Sequence, residues 1–303
     1  LISRQRFFGV PIPVWYRVDE QGGRGEVLGP DEASLPVDPS TDVPTGFTED
    51  QRGVPGGFEG DHDIMDTWAT SSLTPQIAGG WADDPELFDL VFPFDLRSQG
   101  QDIIRTWLFS TVLRAELESG TVPWGNAGIS GFIVDPDRKK MSKSKGNVVT
   151  PAAMLDEHGS DAVRYWAASS RLGSDAAFDP QNPKLMKIGR RLAIKVLNAA
   201  KFVHGFEASA DAAPTRALDL DLLAELAVVV RTATKAYEEY DHARALEATE
   251  QFFWTFCDDY LELVKERAYD QDGADAAGRD SAVATLQLAL NVLLRLLAPV
   301  IPF

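Results

Sequence analysis

The segment 135–147 combines cations with small polar residues in a way that suits anion binding. Five cations fall within eight residues, with no acid among them: Arg138, Lys139, Lys140, Lys143 and Lys145. Serine, glycine and asparagine residues interleave with the lysines, and their hydroxyl, amide and backbone donors let a loop close tightly on phosphate oxygens. The segment is therefore either a phosphate-binding loop or a solvated basic turn, the latter being the usual fate of a lysine run.

The composition of the whole chain limits what this segment can mean. The 303 residues carry a net charge of −17, so the cation cluster is a local exception. The acidic balance argues against indiscriminate nucleic-acid binding, but a local basic face can still contact RNA. With 44% hydrophobic residues, the chain is long enough for about two globular domains.

The cysteine and histidine content bounds the compartment and the metal chemistry. Cys257 is the single cysteine, which excludes internal disulfides and cysteine-rich zinc sites and fits a reducing, cytoplasmic environment. His62 has no second ligand at metal-binding spacing, so no metal site is predicted. No secretory signal pattern is visible. The apolar stretch 286–303 is interrupted by polar residues and prolines, which favours a core helix over a membrane span.

Short strands deliver the polar residues that could do chemistry. Residues 128–135 predict an apolar strand that brings the lysine segment to the carboxyl edge of a parallel sheet, where nucleotide sites form. Residues 92–102 predict a buried strand, followed by a helix over 103–114. Gly100 at that turn permits close backbone approach to a ligand, and Asp102 can accept hydrogen bonds from sugar hydroxyls.

The chain before residue 92 is predicted to be mostly short elements. Residues 10–16 alternate prolines with apolar residues, which predicts an extended edge strand. Residues 17–60 are rich in glycine, proline and acids, which predicts an insertion or small hairpin subdomain. The segment Asp63–Ser72 predicts a helix start with Ser71 and Ser72 as candidate caps and Trp68 in the core.

The chain after residue 150 is predicted to be helical. A helix starts at Thr150-Pro151, and another over 161–168 places Val163, Trp166 and Ala167 on one face. From Pro183 the chain is almost wholly helical, with helices near 219–239, 241–267 and 280–297. A basic stripe on the helix that begins after Pro183 is either a solvated face or an RNA contact, and it comprises Lys184, Lys187, Arg190, Arg191 and Lys195.

Several of these motifs together resemble the class I aminoacyl-tRNA synthetases. Lys140-Met141-Ser142-Lys143-Ser144 matches the mobile ATP loop of that family. The Gly-x-Asp of Gly100 and Asp102 resembles the family's strand end that holds the aminoacyl-adenylate. Among the valyl and isoleucyl enzymes, Arg4 and Gln5 match the Ile-Ser-Arg-Gln segment that follows the editing domain, and Trp68 and Trp107 match the two tryptophans of the amino-acid pocket.

The resemblance implies an α/β fold. Residues 1–180 would be the C-terminal half of a Rossmann-type class I catalytic domain, including the lysine loop and the stem-contact region. Residues 181–303 would be an all-α anticodon-binding helix bundle, truncated at its C-terminus. The chain has no initiator methionine and ends directly after an apolar helix, which predicts a segment of a longer protein.

The resemblance also implies an activity. Gln99 and Ile103 depart from the isoleucyl pattern beside Gly100 and Asp102, and Ile103 joins the predicted amino-acid pocket, so the valyl branch is favoured. The expected substrates are valine, ATP with Mg²⁺ and tRNA(Val), handled by a cytoplasmic monomer without membrane contact. An isoleucyl enzyme remains the alternative within the family. A non-catalytic tRNA-binding module that kept a vestigial loop is the alternative from another class.

The family's other signature motif is missing from this chain. Class I enzymes carry a His-Ile-Gly-His motif at an early strand-to-helix turn, and the histidines here are too far apart to form one: His62, His158, His204 and His242. The editing domain is absent too. The sequence therefore predicts that this polypeptide alone does not activate valine.

Overall fold

The computed structural model describes residues 2–141, 148 and 150–303. It consists of two units, Leu1–Ala127 and Gly128–Phe303. The first unit opens with β1 (Ser3–Arg4), which pairs antiparallel with β5 (Ile64–Met65). Between them lies a three-stranded sheet in the order β3–β2–β4, made of β2 (Trp15–Val18), β3 (Arg24–Leu28) and β4 (Phe58–Gly60). The hairpin subdomain predicted for residues 17–60 is thus confirmed.

The prediction of an edge strand over 10–16 is wrong, and the prolines explain the difference. Pro11 and Pro13 cannot donate ladder hydrogen bonds, so the sheet strand begins after them. β2 then lies in the centre of its sheet and pairs antiparallel with both neighbours. Its inward residue Trp15 is 1% exposed and donates through its indole nitrogen to Asp42 O at 3.1 Å.

The remainder of the first unit carries the elements beside the predicted site. They are α1 (Thr67–Ser71), α2 (Thr74–Ala78), α3 (Pro85–Val91), β6 (Phe94–Gly100), α4 (Phe109–Ser119) and β7 (Trp124–Ser130). Between β6 and α4, residues 101–108 form a 3₁₀ turn and then a π-helical turn. β6 pairs with β7, but Gln99 is its only buried residue, so the prediction of a buried strand over 92–102 is wrong.

The second unit begins with a short parallel pair of strands. β8 (Ile133–Val134) pairs in parallel with β9 (Ala176–Ala177), and α5 (Ala152–His158) and α6 (Ser160–Ala168) lie between them in the chain. The single strand predicted over 128–135 is therefore divided between β7 and β8. Gly131 lies at the division, where a Cβ atom would come within 2.2 Å of Ser174 O, so only glycine allows this close backbone approach.

The rest of the second unit is a helical bundle, here the name for α7 to α11. Its elements are α7 (Lys184–Val203), α8 (Ala217–Glu238), α9 (His242–Thr255), α10 (Leu261–Tyr269) and α11 (Ala276–Leu297). A π-helical turn over Phe256–Tyr260 joins α9 to α10. The predicted helices are confirmed within a few residues. Phe253, Phe256 and Tyr260 are all buried in the core.

The predicted face of the helix over 161–168 is correct in part, since Val163 and Trp166 pack against one core cluster. Ala162 and Tyr165 are its buried residues, whereas Ala167 is exposed. The reason lies in α7, where Gly189 meets Tyr165 so closely that a Cβ atom there would lie 2.6 Å from the tyrosine Cβ. Burial and a 2.6 Å hydrogen bond to Glu250 raise the pKa of the Tyr165 hydroxyl well above its usual range.

The apolar C-terminal helix is part of the bundle core. Among the described residues, α11 is the one helix long and apolar enough to cross a membrane by length and composition. It is nevertheless packed along its length, with Leu286, Leu290 and Leu293 each at most 2% exposed. Its apolar composition is accounted for by this packing, which agrees with the predicted core helix.

Candidate functional site

A tight turn carries the first residues of the lysine segment. Val134 and Lys140 form an isolated antiparallel bridge, and the Asp135 amide donates to Lys139 O at 2.9 Å. The Asp135 carboxylate accepts from the Lys139 amide at 2.8 Å. Arg138, at the tip, adopts a left-handed φ of 60°. This strand–turn–strand returns the chain to β8 at Lys140.

The side chains that leave this turn have different partners. The Lys139 ammonium lies 3.2 Å from the Asp137 carboxylate in an exposed ion pair. The Lys140 ammonium lies over the ring of Phe132, 4.0 Å from its centroid. Met141 packs against a small core cluster formed by Met154, Ala162, Phe178 and Met186. Met141 therefore anchors the beginning of the loop in the second unit.

The remaining positions of the lysine motif lie outside the residues that the structure describes. These positions are Ser142, Lys143 and Ser144. The roles assigned to them from the sequence stay predictions.

The end of β6 carries the predicted adenylate residues of the first unit. Gly100 ends the strand in an extended conformation, and a Cβ atom there would lie 3.0 Å from Asp102 Oδ1. The side chain of Asp102 is exposed, and Ile103 is half-buried beside it. Gln99 is 3% exposed and donates to Gly100 O at 2.8 Å. The end of β6 thus exposes the Asp102 carboxylate, and Gly100 beside it has no side chain that would block a ligand from the backbone.

Trp68 is held in place by an ion pair and a helix cap. The Asp66 carboxylate is the N-cap of α1 and accepts from the Trp68 amide at 2.9 Å. Arg4 forms a 2.7 Å ion pair with the same nearly buried carboxylate. Ser71 is the last residue of α1 and Ser72 is its C-cap, so the predicted capping role holds for Ser72 at the end of the helix and not at its start. The half-exposed Trp68 lines a groove with Ile2, Leu113 and Leu117.

Trp107 lies in a different cavity from Trp68. It is 4% exposed, its indole nitrogen donates to Ser71 O at 3.0 Å, and one face stacks on Trp124 with ring centroids 5.6 Å apart. The guanidinium of Arg97 lies over the ring at 4.1 Å. Trp107, Trp124 and Arg97 line a cavity with Phe94 and Leu96, which Trp68 does not reach. The structure therefore places the two predicted pocket tryptophans on separate concavities.

The predicted basic stripe on α7 divides into paired and unpaired cations. Lys195 forms a 2.8 Å ion pair with Asp258, and this hydrogen bond raises the pKa of Lys195. Arg190 donates to Glu157 O at 2.8 Å, and the Arg191 guanidinium lies over the ring of Trp254 at 5.1 Å. Within the stripe, Lys184 and Lys187 are exposed and form no ion pair with another described residue.

The lysine turn and the end of β6 can do different chemistry. The turn of the second unit presents cations, which suit phosphate oxygens, whereas the β6 end presents a carboxylate, which suits hydroxyl groups. Among the described residues, no three histidine, cysteine or acidic side chains lie close enough to hold a metal ion. Any divalent cation at such a site would enter with a phosphate ligand.

Sequence reasoning missed the aromatic residues that hold these cations. Phe132 was treated as part of an apolar strand, and Trp254 as part of the helix near 241–267. Phe132 could have been identified from its position two residues before Val134, the strand residue that pairs with Lys140. Side chains of diagonal neighbours on paired strands can reach each other. For Arg97 and Trp124, no signal in the sequence showed that they would meet Trp107.

Two family models match the chain. The model for tRNA synthetases class I (I, L, M and V) matches residues 1–179, and the model for the anticodon-binding domain of tRNA ligase matches residues 219–303. Because the first model covers more than half of the chain, the chain belongs to the class I tRNA synthetase family (I, L, M and V). The predicted fold class is confirmed, while the boundary predicted at residue 180 stays a prediction.

The chain is also similar to particular members of this family. It is 67% identical to the valine–tRNA ligase of Leifsonia xyli subsp. xyli, with all of this chain and 35% of that protein aligned. It is 65% identical to the valine–tRNA ligase of Thermobifida fusca, with all of this chain and 34% of that protein aligned. The chain thus spans about a third of the length of these curated relatives.

Solved structures share the fold at lower identity. A LeuRS of Agrobacterium radiobacter K84, in a ternary complex with tRNA and LeuAMS, aligns with 99% of this chain and 38% of its own at a TM-score of 0.72 and 21% identity. Methionyl-tRNA synthetase of Mycobacterium tuberculosis, bound by methionyl-adenylate, aligns with 82% of this chain and 50% of its own at a TM-score of 0.65 and 24% identity.

Proposed function

We propose that this chain is part of a valine–tRNA ligase, which joins valine to ATP as valyl-adenylate and transfers the valyl group to tRNA(Val). The observation that carries the proposal is the 67% identity, over the full chain, to a protein of that name. The isoleucyl alternative is not favoured, since the relatives that align over the whole chain are named valine–tRNA ligase.

The first step is an in-line displacement at the α-phosphate of ATP. The protein contributes positioning and charge stabilisation, because such a displacement needs little covalent chemistry from side chains. In this proposal Lys143 binds ATP and stabilises the departing pyrophosphate, and Lys140 assists. Mg²⁺ enters with ATP as part of the substrate complex and shares the phosphate charge.

Gly100 and Asp102 are the residues proposed to hold the adenylate. We assign the hydroxyl-binding role to Asp102 and the open backbone approach to Gly100, and the exposed position of Asp102 supports this role. The loop residues that would bind ATP alongside the lysines are Met141, Ser142 and Ser144. Met141 has the most direct support among them, because its packing fixes the point where the loop begins.

The residues assigned to valine binding are Trp68, Trp107 and Ile103, and the two tryptophans line separate concavities in this structure. The half-exposed Trp68 is available to a ligand in the groove that it lines. Trp107 is 4% exposed and its ring contacts Arg97 and Trp124, so little of the indole would be open to a ligand. A pocket lined by apolar and aromatic side chains suits the branched side chain of valine. The valyl enzymes are themselves the known case in which such a pocket rejects threonine only about 100-fold.

The tRNA would contact the basic face of α7. Lys184 and Lys187 are exposed and can bind phosphates, and Arg191 with Trp254 offers a cation and an aromatic ring on the same face. Arg190 and Lys195 are engaged within the protein and would contribute less. The protein would act as a monomer in the cytoplasm, where translation supplies tRNA(Val).

Pyrophosphate exchange and aminoacylation test this proposal. The longer protein that contains this segment should charge a tRNA(Val) transcript with valine, and the 303-residue chain alone should show no valine-dependent exchange. Exchange by the isolated chain would contradict the second expectation. A longer protein that binds tRNA(Val) but neither activates nor transfers any amino acid would favour the RNA-binding module instead.

A further inference from the structure

We propose that Arg97 and Trp124 are positioning residues that fix the indole of Trp107 and, through it, the binding of valine. The proposal rests on the proposed function, because Trp107 is one of the residues assigned to valine binding. Arg97 lies in β6 and Trp124 begins β7, so neither belongs to the helical segment that carries Trp107. Neither residue is part of the motifs that resemble the synthetase family.

The backbone and one edge of Trp107 are held by hydrogen bonds. The residue lies in the π-helical turn Ile104–Leu108, a feature that is frequent at functional sites. Its carbonyl accepts from the Thr111 hydroxyl at 2.7 Å, and its indole nitrogen donates to Ser71 O at 3.0 Å. A single hydrogen bond at the edge of the ring leaves the tilt of the ring about that bond undetermined. Contacts with the π system are therefore needed to fix the plane of the indole.

Trp124 sets the plane of the Trp107 ring. The two indoles are stacked, with their centroids 5.6 Å apart and their planes 7° from parallel. Offset stacking of this kind is a preferred geometry for aromatic pairs. Trp124 is itself 7% exposed, and the strand that it begins pairs with β6. The stack therefore ties the Trp107 ring to the two-stranded sheet.

Arg97 adds a charged contact with the same ring. The centre of its guanidinium lies 4.1 Å from the centroid of the Trp107 ring, inside the range of a cation–π interaction. The Arg97 Nε atom is buried and has no hydrogen-bond partner among the residues that the structure describes. A buried polar atom without a partner is costly, so a compensating interaction is expected nearby. The attraction of a cation to an aromatic ring grows as the cation is desolvated, which makes the indole that interaction.

The position of the Trp107 ring matters to a ligand because little of the ring is open. Trp107 is 4% exposed, and the cavity that it lines with Arg97 and Trp124 is completed by apolar residues such as Leu96. A small tilt of the indole would change much of the surface that a ligand can meet. Apolar pockets separate side chains that differ by one methylene by only about 10- to 200-fold, so they depend on where their walls lie. Loss of either contact should therefore weaken valine binding.

The role of Arg97 can be measured in the 303-residue chain by NMR with ¹⁵N-labelled tryptophan. Each tryptophan gives one indole N–H signal, and the signal lost in Trp107→Phe is that of Trp107. Stacking on Trp124 should give this signal a ring-current shift. Arg97→Met removes a cation and no ring, so we expect the shift to shrink because the indole tilts, whereas Arg97→Lys should retain most of it. An unchanged Trp107 signal in Arg97→Met would overturn the role of Arg97.

The role of Trp124 is measured by the exchange of the same indole proton with water. Exchange should be faster in Trp124→Leu than in the wild type, and Trp124→Phe, which keeps an aromatic ring, should lie near the wild type. Equal exchange rates in Trp124→Leu and the wild type would overturn the role of Trp124. The other tryptophan signals report whether a variant is folded, and Arg97→Gln replaces Arg97→Met if those signals are lost.

The functional consequence is measured in the longer protein by ATP–pyrophosphate exchange at varied valine and at varied ATP. Losing the cation–π contact should raise KM for valine by about three- to tenfold in Arg97→Met. The kcat should change little, because the contact is uniform between ground and transition states. KM for ATP should stay at the wild-type value, a split that a general loss of structure would not produce. Arg97→Lys and Trp124→Phe should recover most of the affinity for valine.

Arg17→Met is the matched control, since the Arg17 guanidinium also lies over an aromatic ring, that of Phe47 at 5.4 Å, in the hairpin subdomain. Both of its KM values should equal those of the wild type. A wild-type KM for valine in Arg97→Met and Trp124→Leu would contradict the positioning role, as would equal increases in both KM values. A wild-type protein without exchange would instead refute the proposed function, while the NMR experiments would still decide whether the two residues hold the indole.

Discussion

In the helical bundle the buried carboxylate of Asp219 accepts hydrogen bonds from three side chains, whereas in the first unit the buried amide of Gln76 meets none among the described residues. Asp219 is 0% exposed and is bound by Tyr260 at 2.7 Å, Ser281 at 2.5 Å and both terminal nitrogens of Arg267 at 2.6 and 2.7 Å. Gln76 is also 0% exposed, but neither its Nε2 nor its Oε1 has a partner.

The apolar residues show the same contrast. One core cluster of the bundle joins buried leucines and phenylalanines from several helices, although Leu263 is 68% exposed. In the first unit, large apolar side chains lie in solvent, with Phe7 90%, Phe8 84% and Leu117 76% exposed. In the bundle, the buried Asp219 has hydrogen-bond partners and the core apolar side chains are covered. In the first unit, which carries Asp102 and both pocket tryptophans, the buried Gln76 lacks partners within the described chain and several large apolar side chains are exposed.

The largest expected effect comes from breaking the buried ion pair of the bundle. Arg267→Met keeps much of the side-chain volume but leaves the Asp219 carboxylate buried without its cation. We expect a loss of about 3–5 kcal/mol in the free energy of unfolding, measured by urea denaturation. Lys265→Met, two residues away, removes an exposed 3.2 Å pair with Glu262 and should cost less than about 1 kcal/mol. Similar losses in both variants would remove the distinction between buried and exposed charges.

A pair of leucine truncations compares the two units directly. Leu286→Ala removes a side chain that is 0% exposed in α11 and should cost about 2–5 kcal/mol. Leu117→Ala removes one that is 76% exposed in α4 and should change stability by about 0.5 kcal/mol or less. Hydrogen exchange of each variant shows which unit loses protection. A large loss in Leu117→Ala would mean that α4 is covered in solution.

The pH dependence of the bundle follows from Asp219. Burial alone would raise the pKa of this carboxylate, but hydrogen bonds from Arg267, Ser281 and Tyr260 outweigh burial and lower it. A lowered native pKa stabilises the fold at pH values above the unfolded pKa of about 4, and this stabilisation is lost as pH falls further. The difference in unfolding free energy between the wild type and Asp219→Asn should therefore be constant from pH 7 to 5 and shrink below about pH 4. A difference that grows as pH falls would contradict this sign.

The smallest expected effect concerns thiol labelling, because the buried Cys257 of the native bundle should not react. Burial raises the pKa of the Cys257 thiol to about 12, and the residue is 2% exposed. At pH 8 the native bundle should therefore resist labelling by a thiol reagent until it unfolds. A Leu117→Cys variant should label at once, because that position of the first unit is exposed. Rapid labelling of Cys257 in the wild type would show that the bundle opens readily.

Much of the bundle could be predicted from the sequence, because its helices carry apolar residues at helical spacing. The burial of Tyr165 in α6 could not be predicted, because Tyr165 packs against Gly189 of another helix. In the first unit, the pairing of β2 and the exposure of β6 depend on partners that are distant in the chain.

The same limit applies to the candidate site. The residue types of Gly100, Asp102 and Lys140 were enough to nominate them. Their environments were not predictable, because Phe132 under Lys140 and Trp124 beside Trp107 are tertiary neighbours. Spacing alone also could not show that Trp68 and Trp107 line separate concavities.

Amino-acid-dependent ATP–pyrophosphate exchange by the longer protein tests the central claim most directly. Valine, isoleucine, threonine and leucine are compared, alongside the Lys143→Ala variant. We predict exchange that prefers valine and collapses in the variant, because Lys143 would stabilise the departing pyrophosphate. A preference for isoleucine would move the chain to the sister enzyme with the same mechanism. No exchange with any of the four amino acids would contradict the assignment of a synthetase site to this chain.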